Sequence, residues 1–282
     1  MKKIIVFFAI IFIIAVVLSL LVTVSQKVPL GEKVAVVQVT GMIVDAAKTI
    51  EELKDYAKDV SVKAIVLRIN SPGGAVAPAQ EIYNEILKVK EKKKVIASMG
   101  AVAASGGYYI AAPADRIVAN AGTLTGSIGV IMELPNVSGL MEKIGIQTQV
   151  IKSGRHKDLA SVFKSLTPKE REILQAVLDD VHDQFIEAVS RGRNMQFEDI
   201  KKLADGRIFT GKKALELGLI DELGNMEDAI MLAGELTGIE GEPEVVTRKE
   251  KFSIFELLKG QLPEKIFGSA FSGIQLKYLL KL

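Results

Sequence analysis

An α/β fold with a largely parallel sheet flanked by helices, preceded by one membrane-spanning helix, is what this sequence predicts, on three observations. Short β-branched apolar runs alternate with longer amphipathic ones. Two glycine-rich stretches each sit where such a run passes into a helical pattern. The first apolar run of the chain, Ile4 to Val24, carries no charge at all.

That run, "IIVFFAIIFIIAVVLSLLVTV", is long enough as a helix to cross a hydrocarbon core of roughly 30 Å. A cleaved signal peptide has a shorter apolar region followed by a small-x-small site, and "LVTVSQKVPL" offers none, so the segment is read as an uncleaved anchor. Lys2 and Lys3 favour a cytoplasmic start, which leaves the rest of a single-pass protein of the cell membrane on the extracytoplasmic side; Lys27 and Lys33 weaken that bias. Residues 1–25 are thus the anchor, and "QKVPLGEK", Gln26 to Lys33, is the linker leaving it.

Beyond the linker, "VAVVQV" (34–39), "KAIVLRI" (63–69), "KVIASM" (94–99), "DRIVA" (115–119) and "IGVIM" (128–132) have the pattern of buried strands. Helical patterns at 47–59, 76–92 and 101–112 lie between the first four. This βαβ alternation is the signature of a parallel sheet. A long helix is predicted from Pro168 to Arg191, opened by a capping box of Thr167 and Glu170. "DGRIFTGKKALELGLIDELG" (205–224) gives a turn, a short helix and a return segment, and two more helical stretches close the chain. One domain over 34–240 and a tail over 241–282, with an oligomer or the membrane as its expected contact, complete the organisation.

With 282 residues, 49% of them hydrophobic, the chain can bury a sizeable core. The absence of cysteine excludes disulfides, thiolate nucleophiles and cysteine metal sites. Residues 1–33 hold four Lys and one Glu, so the whole-chain charge of +2 leaves the remainder at −1. That balance implies no nucleic-acid surface. Two histidines are too few for a metal site, and no phosphate-binding GxxxxGK[ST] loop occurs, so no metal and no cofactor is expected.

The candidate chemistry lies in the two glycine-rich turns, "INSPGGAVAPAQEIYNEI" (69–86) and "SMGAVAASGGYYIAA" (98–112). Backbone N–H groups at a helix start are unpaired, and glycine lets them approach a bound oxygen, so two such turns suit the oxyanion of a carbonyl under attack. Taken singly, each is equally well a plain turn or a tight helix crossing. Ser105, set among Ala101, Ala103, Ala104, Gly106 and Gly107, stands where something must come close.

"NSPGG" (70–74), "AASGGYYIA" (103–111), "GSIGV" (126–130), "KSGRHKD" (152–158) and "FTGKKALELGLID" (209–221), in this order behind an amino-terminal anchor, resemble the short form of the signal peptide peptidase A family. The resemblance spans nearly all of residues 34–238. It implies a Clp protease/crotonase-like fold and a membrane-bound serine endopeptidase that degrades hydrophobic peptides such as released signal peptides. The histidine base of Clp proteases has no counterpart in "TGSIGVIME" (125–133), and His182 falls inside the long helix as a packing or surface residue. Instead the resemblance implies a Ser-Lys dyad: Ser105 as nucleophile and Lys157 as general base, with Ser127 orienting the lysine and the backbone N–H groups of Gly74 and Gly106 as oxyanion donors. An ordinary lysine, near pKa 10.4, is protonated at neutral pH, so burial is the expected route to a basic amine. Lys152 and His156 are the nearest rivals as base. Val76 and Ala77 are expected to line the groove where a substrate peptide adds as a strand. The resemblance further implies a homo-oligomer in which serine and lysine meet across neighbouring subunits. Two alternatives remain: a Ser-Lys protease of the same superfamily partnered with stomatin-like proteins, and an acyl-CoA enzyme of the crotonase type.

Overall fold

Side chains of single strands divide between two cores. Val34 and Val36 join Ala64, Val66, Ile96 and Val118 in one cluster, while Ala35, Val37, Val39, Ile65, Leu67 and Ile69 fall in a larger one. Period-two alternation with both faces apolar is what a parallel sheet covered by helices on each side requires. The structure, a computed structural model, describes residues 31–248, the strand at 277–279 and the single position Phe12.

In chain order the elements are β1 (Lys33–Thr40), α1 (Ala47–Lys58), β2 (Val62–Ser71), β3 (Gly73–Ala75), α2 (Val76–Lys90), β4 (Lys94–Ala104), α3 (Gly106–Ala111), β5 (Arg116–Ala119), β6 (Leu124–Gly126), α4 (Ser138–Lys143), α5 (Pro168–Arg193), α6 (Phe197–Leu203), β7 (Ile208–Thr210), α7 (Gly211–Glu216), β8 (Glu222–Leu223), α8 (Met226–Glu235), β9 (Glu244–Thr247) and β10 (Lys277–Leu279). The main sheet runs β7-β6-β4-β2-β1-β9, with β5 on β4 and β8 on β5; every pairing is parallel except β6 with β7. The α8 residues Ala229, Ile230 and Ala233 cover the smaller core, and α2, α3 and α5 contribute to the larger one.

The mixed α/β architecture agrees with the sequence, and α5 begins with the expected capping box, Glu170 N–H to Thr167 Oγ1 and Thr167 N–H to the Glu170 carboxylate. Three expectations need correction. The helix expected over 101–112 is only 106–111, because Val102, Ala103 and Ala104 prolong β4 by pairing with Leu124, Thr125 and Gly126; sheet pairing overrides the helical preference of alanine. The strand expected at 128–132 is instead at 124–126, since Gly126 and Ser127 both have positive φ and turn the chain out of the sheet. Residues 244–247, expected in the tail, form the sheet edge beside β1. Ile4–Val24 lies outside the described residues apart from Phe12, and no helix among the described residues is long and apolar enough to cross a membrane.

Candidate active site

Both glycine-rich turns form at the ends of adjacent parallel strands, which sets them side by side. Along β2 the register with β4 shifts between Ile69 and Ser71, so that Ser71 faces Ala103. Asn70 links the turns: its side-chain oxygen accepts the Val102 N–H at 3.2 Å, and a Cβ on Gly100 would lie 3.0 Å from its side chain.

After Pro72 the chain reverses through Gly73, whose φ is +100° and whose N–H donates to Ser71 Oγ at 3.1 Å. The Gly73 carbonyl accepts from Ile43 N–H at 2.9 Å, and Ala75 N–H donates to the Ile43 carbonyl at 2.7 Å. Successive residues of a strand point their polar groups to opposite edges, so the N–H and C=O of Gly74 face away from Ile43. Any Cβ at 74 would meet the Ile43 carbonyl oxygen at 2.1 Å. Glycine is obligatory there.

At the end of β4, Ser105 adopts φ 54° and ψ −119° and opens α3. A non-glycine residue in that region costs about 1–3 kcal/mol and is held only by its surroundings. Here its N–H donates to the Gly126 carbonyl at 2.8 Å, and its own carbonyl accepts from Tyr109 N–H at 2.8 Å. The helix behind it is clamped: Tyr108 Oη donates to the Leu219 carbonyl at 2.8 Å, and the Tyr109 ring packs at 5.0 Å against both Tyr83 and Phe185. Burial drives the Tyr108 phenol far above its ordinary pKa and raises that of Tyr109 to about 12, so both remain neutral packing groups. Ser105 is fully buried and its Oγ has no hydrogen-bond partner. A buried orphan hydroxyl costs about 1–3 kcal/mol, and with the strained strand-to-helix turn it matches the geometry by which hydrolases present a nucleophile. Gly106, the first residue of α3, has no acceptor for its N–H inside the helix. Part of the small-residue requirement is simple packing, since a Cβ on Gly107 would come 2.7 Å from the Ser71 carbonyl.

Ser127 follows the residue that holds Ser105. Its φ is 51°, its N–H donates to the Arg207 carbonyl at 2.8 Å, and it lines a cleft of about 700 Å³ with Glu133, His182 and Asp205. His182 is half-buried on α5, and its Nε2 is buried without a hydrogen-bond partner.

Lys157 is elsewhere. Every residue from 142 to 157 is exposed, Lys157 included, and no group reaches Ser105 Oγ. The burial expected for this amine is therefore not supplied by one chain. Lys152 Nζ binds the Asp158 carboxylate at 2.5 Å, with Lys164 at 3.4 Å; the Lys152 hydrogen bond is the largest cause holding that carboxyl below its usual range. His156 is exposed. Val76 packs in the larger core and Ala77 is exposed on α2, because the chain turns helical at Val76. The strand edge lies just before it, at Gly73–Ala75. Sequence reasoning quoted Asn70 within "NSPGG" without giving it a role; its position between the two turns was the available signal. Among the described residues no group of three or more His, Asp or Glu is placed to hold a metal ion.

The comparisons with known proteins agree on one family. A Synechocystis sp. relative is 47% identical over 222 residues, which are 76% of this chain and 78% of that one. The Haemophilus influenzae protein named Protease 4 is 36% identical over 214 residues, 72% of this chain but 35% of its own length. The Arabidopsis thaliana protein named Serine protease SPPA, chloroplastic, is 36% identical over 200 residues, 71% of this chain and 30% of its own. Residues 87–240, from the end of α2 through the Ser105 turn and the 142–157 stretch to the end of the last helix among the described residues, match the description Peptidase family S49, and the chain belongs to that peptidase family.

Proposed function

We propose that this chain is a membrane-anchored serine endopeptidase working through a Ser105–Lys157 dyad on hydrophobic peptides, among them signal peptides after their release. The observation that carries the reading is Ser105 itself: a buried, unpartnered hydroxyl on a strained turn at a helix start, beside a second glycine turn. In the reaction, Ser105 Oγ attacks the peptide carbonyl carbon while its proton passes to neutral Lys157 Nζ. The carbonyl oxygen, now negative, accepts from Gly106 and Gly74 N–H, each donor worth about 3 kcal/mol in the transition state. The tetrahedral intermediate collapses, Lys157 gives its proton to the departing amine, and water then hydrolyses the Ser105 ester by the reverse proton route. Ser127, next to the residue that holds Ser105, is suited to orienting the lysine.

Lys157 reaches Ser105, on this reading, only in a homo-oligomer, where a second copy carries its 142–157 stretch to the neighbour's cleft. Ile144, Ile146, Val150 and Ile151 are exposed on that stretch and would be covered by such contact. Residues 4–24 serve as the anchor, the domain from residue 34 lies on the extracytoplasmic side, and the domain has the Clp/crotonase-like fold. The strained Ser105 turn favours a nucleophile over the acyl-CoA chemistry of crotonases, which needs none. Labelling the intact protein with a fluorophosphonate and mapping the adduct tests the reading. An adduct on Ser105, lost in Ser105→Ala, is expected; an adduct on another serine, or none, rejects it.

A further inference from the structure

The three-residue strand β10 comes from the very end of the chain and pairs antiparallel with β3, setting Lys277 opposite Ala75, Tyr278 opposite Gly74 and Leu279 opposite Gly73. We infer that this carboxy-terminal segment occupies the substrate's strand position and acts in cis as a competitor that must be displaced before a peptide can bind. The inference rests on the reading of Ser105 as nucleophile and deepens it into a statement about regulation.

Three observations support it. β3 is too short to offer more than one site for an added strand, and its other edge is taken by Ile43. The N–H and C=O of Gly74 are turned away from Ile43, toward the side where Tyr278 runs, so an extended chain there is held through its main chain, as in strand-addition recognition. β10 also touches α3, the helix that Ser105 opens, and Ser105 is fully buried with the segment in place. The segment's sequence, "QLKYLLKL", is apolar with two lysines and so resembles the hydrophobic peptides proposed as substrates. A ladder of three residues is marginal by itself, which makes it displaceable. A competitor on the same chain raises KM and leaves kcat unchanged, because the substrate-bound enzyme has already released it.

Two variants test this: a chain ending at Gly273, and the full chain with Tyr278→Pro, which removes a ladder N–H with one substitution. Kinetics on a fluorogenic hydrophobic peptide should show KM lowered by about fivefold or more in both, with kcat within about twofold of the parent. A synthetic peptide of residues 273–282 should inhibit the shortened enzyme competitively. Unchanged KM in both variants, together with no inhibition by the peptide, would overturn the proposal. A binding arm separates this from failure of the nucleophile assignment. The fluorescently labelled peptide is titrated into Ser105→Ala with and without residues 274–282, where tighter binding to the shortened form is expected and equal or absent binding counts against the tail whatever the chemistry. Absence of fluorophosphonate labelling in every form would instead overturn the role of Ser105.

Discussion

The Ser105 turn and the 142–157 stretch are built in opposite ways. Ser105 is buried, strained and fixed by backbone hydrogen bonds to Gly126 and Tyr109, with its helix clamped by Tyr108 and Tyr109. Lys157 sits among sixteen consecutive exposed residues, several of them apolar. One chain thus assembles a nucleophile and the turns around it, and leaves the proposed base in solvent. A site divided in this way is completed only by further contacts, and it explains why a fold can be finished in a chain whose chemistry is not.

The largest effect expected on this comparison is in Ser105→Ala, which should lower peptide hydrolysis by about 10³-fold or more in a steady-state assay. Activity retained near the parent level would end the role given to this turn. Gly74→Ala should cost about 3 kcal/mol in chemical denaturation as well as activity, because the new methyl meets the Ile43 carbonyl oxygen, a backbone atom with little room to yield. Ser105→Gly sharpens the contrast. It removes the strained φ and the orphan hydroxyl together, so the inactive variant should be about 1 kcal/mol more stable than the parent. A loss of stability instead would mean that the turn is not under strain.

Lys157→Met should abolish hydrolysis and yet change stability by no more than about 0.5 kcal/mol when subunits are dilute, as expected for an exposed position. A clear gain in stability would show a buried, costly charge. The smallest effect concerns the point where the exposed arm rejoins the packed body. There the Lys164 hydrogen bond, with that of Thr167 N–H, lowers the Glu170 carboxyl to about 2. Since the folded value lies below the unfolded one, this group's stabilising contribution is present above about pH 4.5 and fades as pH falls toward about 2. Glu170→Gln should therefore flatten the acid limb of a plot of melting temperature against pH, and an unaltered limb would remove Glu170 from the account.

How much of this was legible in the sequence follows the same division. Alternating apolar runs located β1, β2, β4 and β5, because burial on both faces leaves a strong local pattern, and Thr167 with Glu170 marked the start of α5 for the same local reason. The short helix α3 and strand β6 were misplaced because their limits depend on pairing between Ala103 and Thr125 and on positive φ at Ser127, neither of which leaves a periodic trace. At the site, the glycine-rich turns signalled Ser105, Gly74 and Gly106, but the obligatory glycine at 74 is set by Ile43, a residue far from the motif. The exposure of Lys157 had no signal in its neighbours, since a charged loop looks the same whether or not a second chain covers it.

Mixing two inactive proteins tests the central claim most directly. Ser105→Ala retains Lys157, and Lys157→Met retains Ser105. If the dyad forms between subunits, co-assembly of equal amounts should restore about a quarter of parental hydrolysis, the share of sites that draw each good residue from a different chain under random pairing. No activity in mixtures whose co-assembly has been verified by mass would contradict the account and place both members of the dyad within one chain.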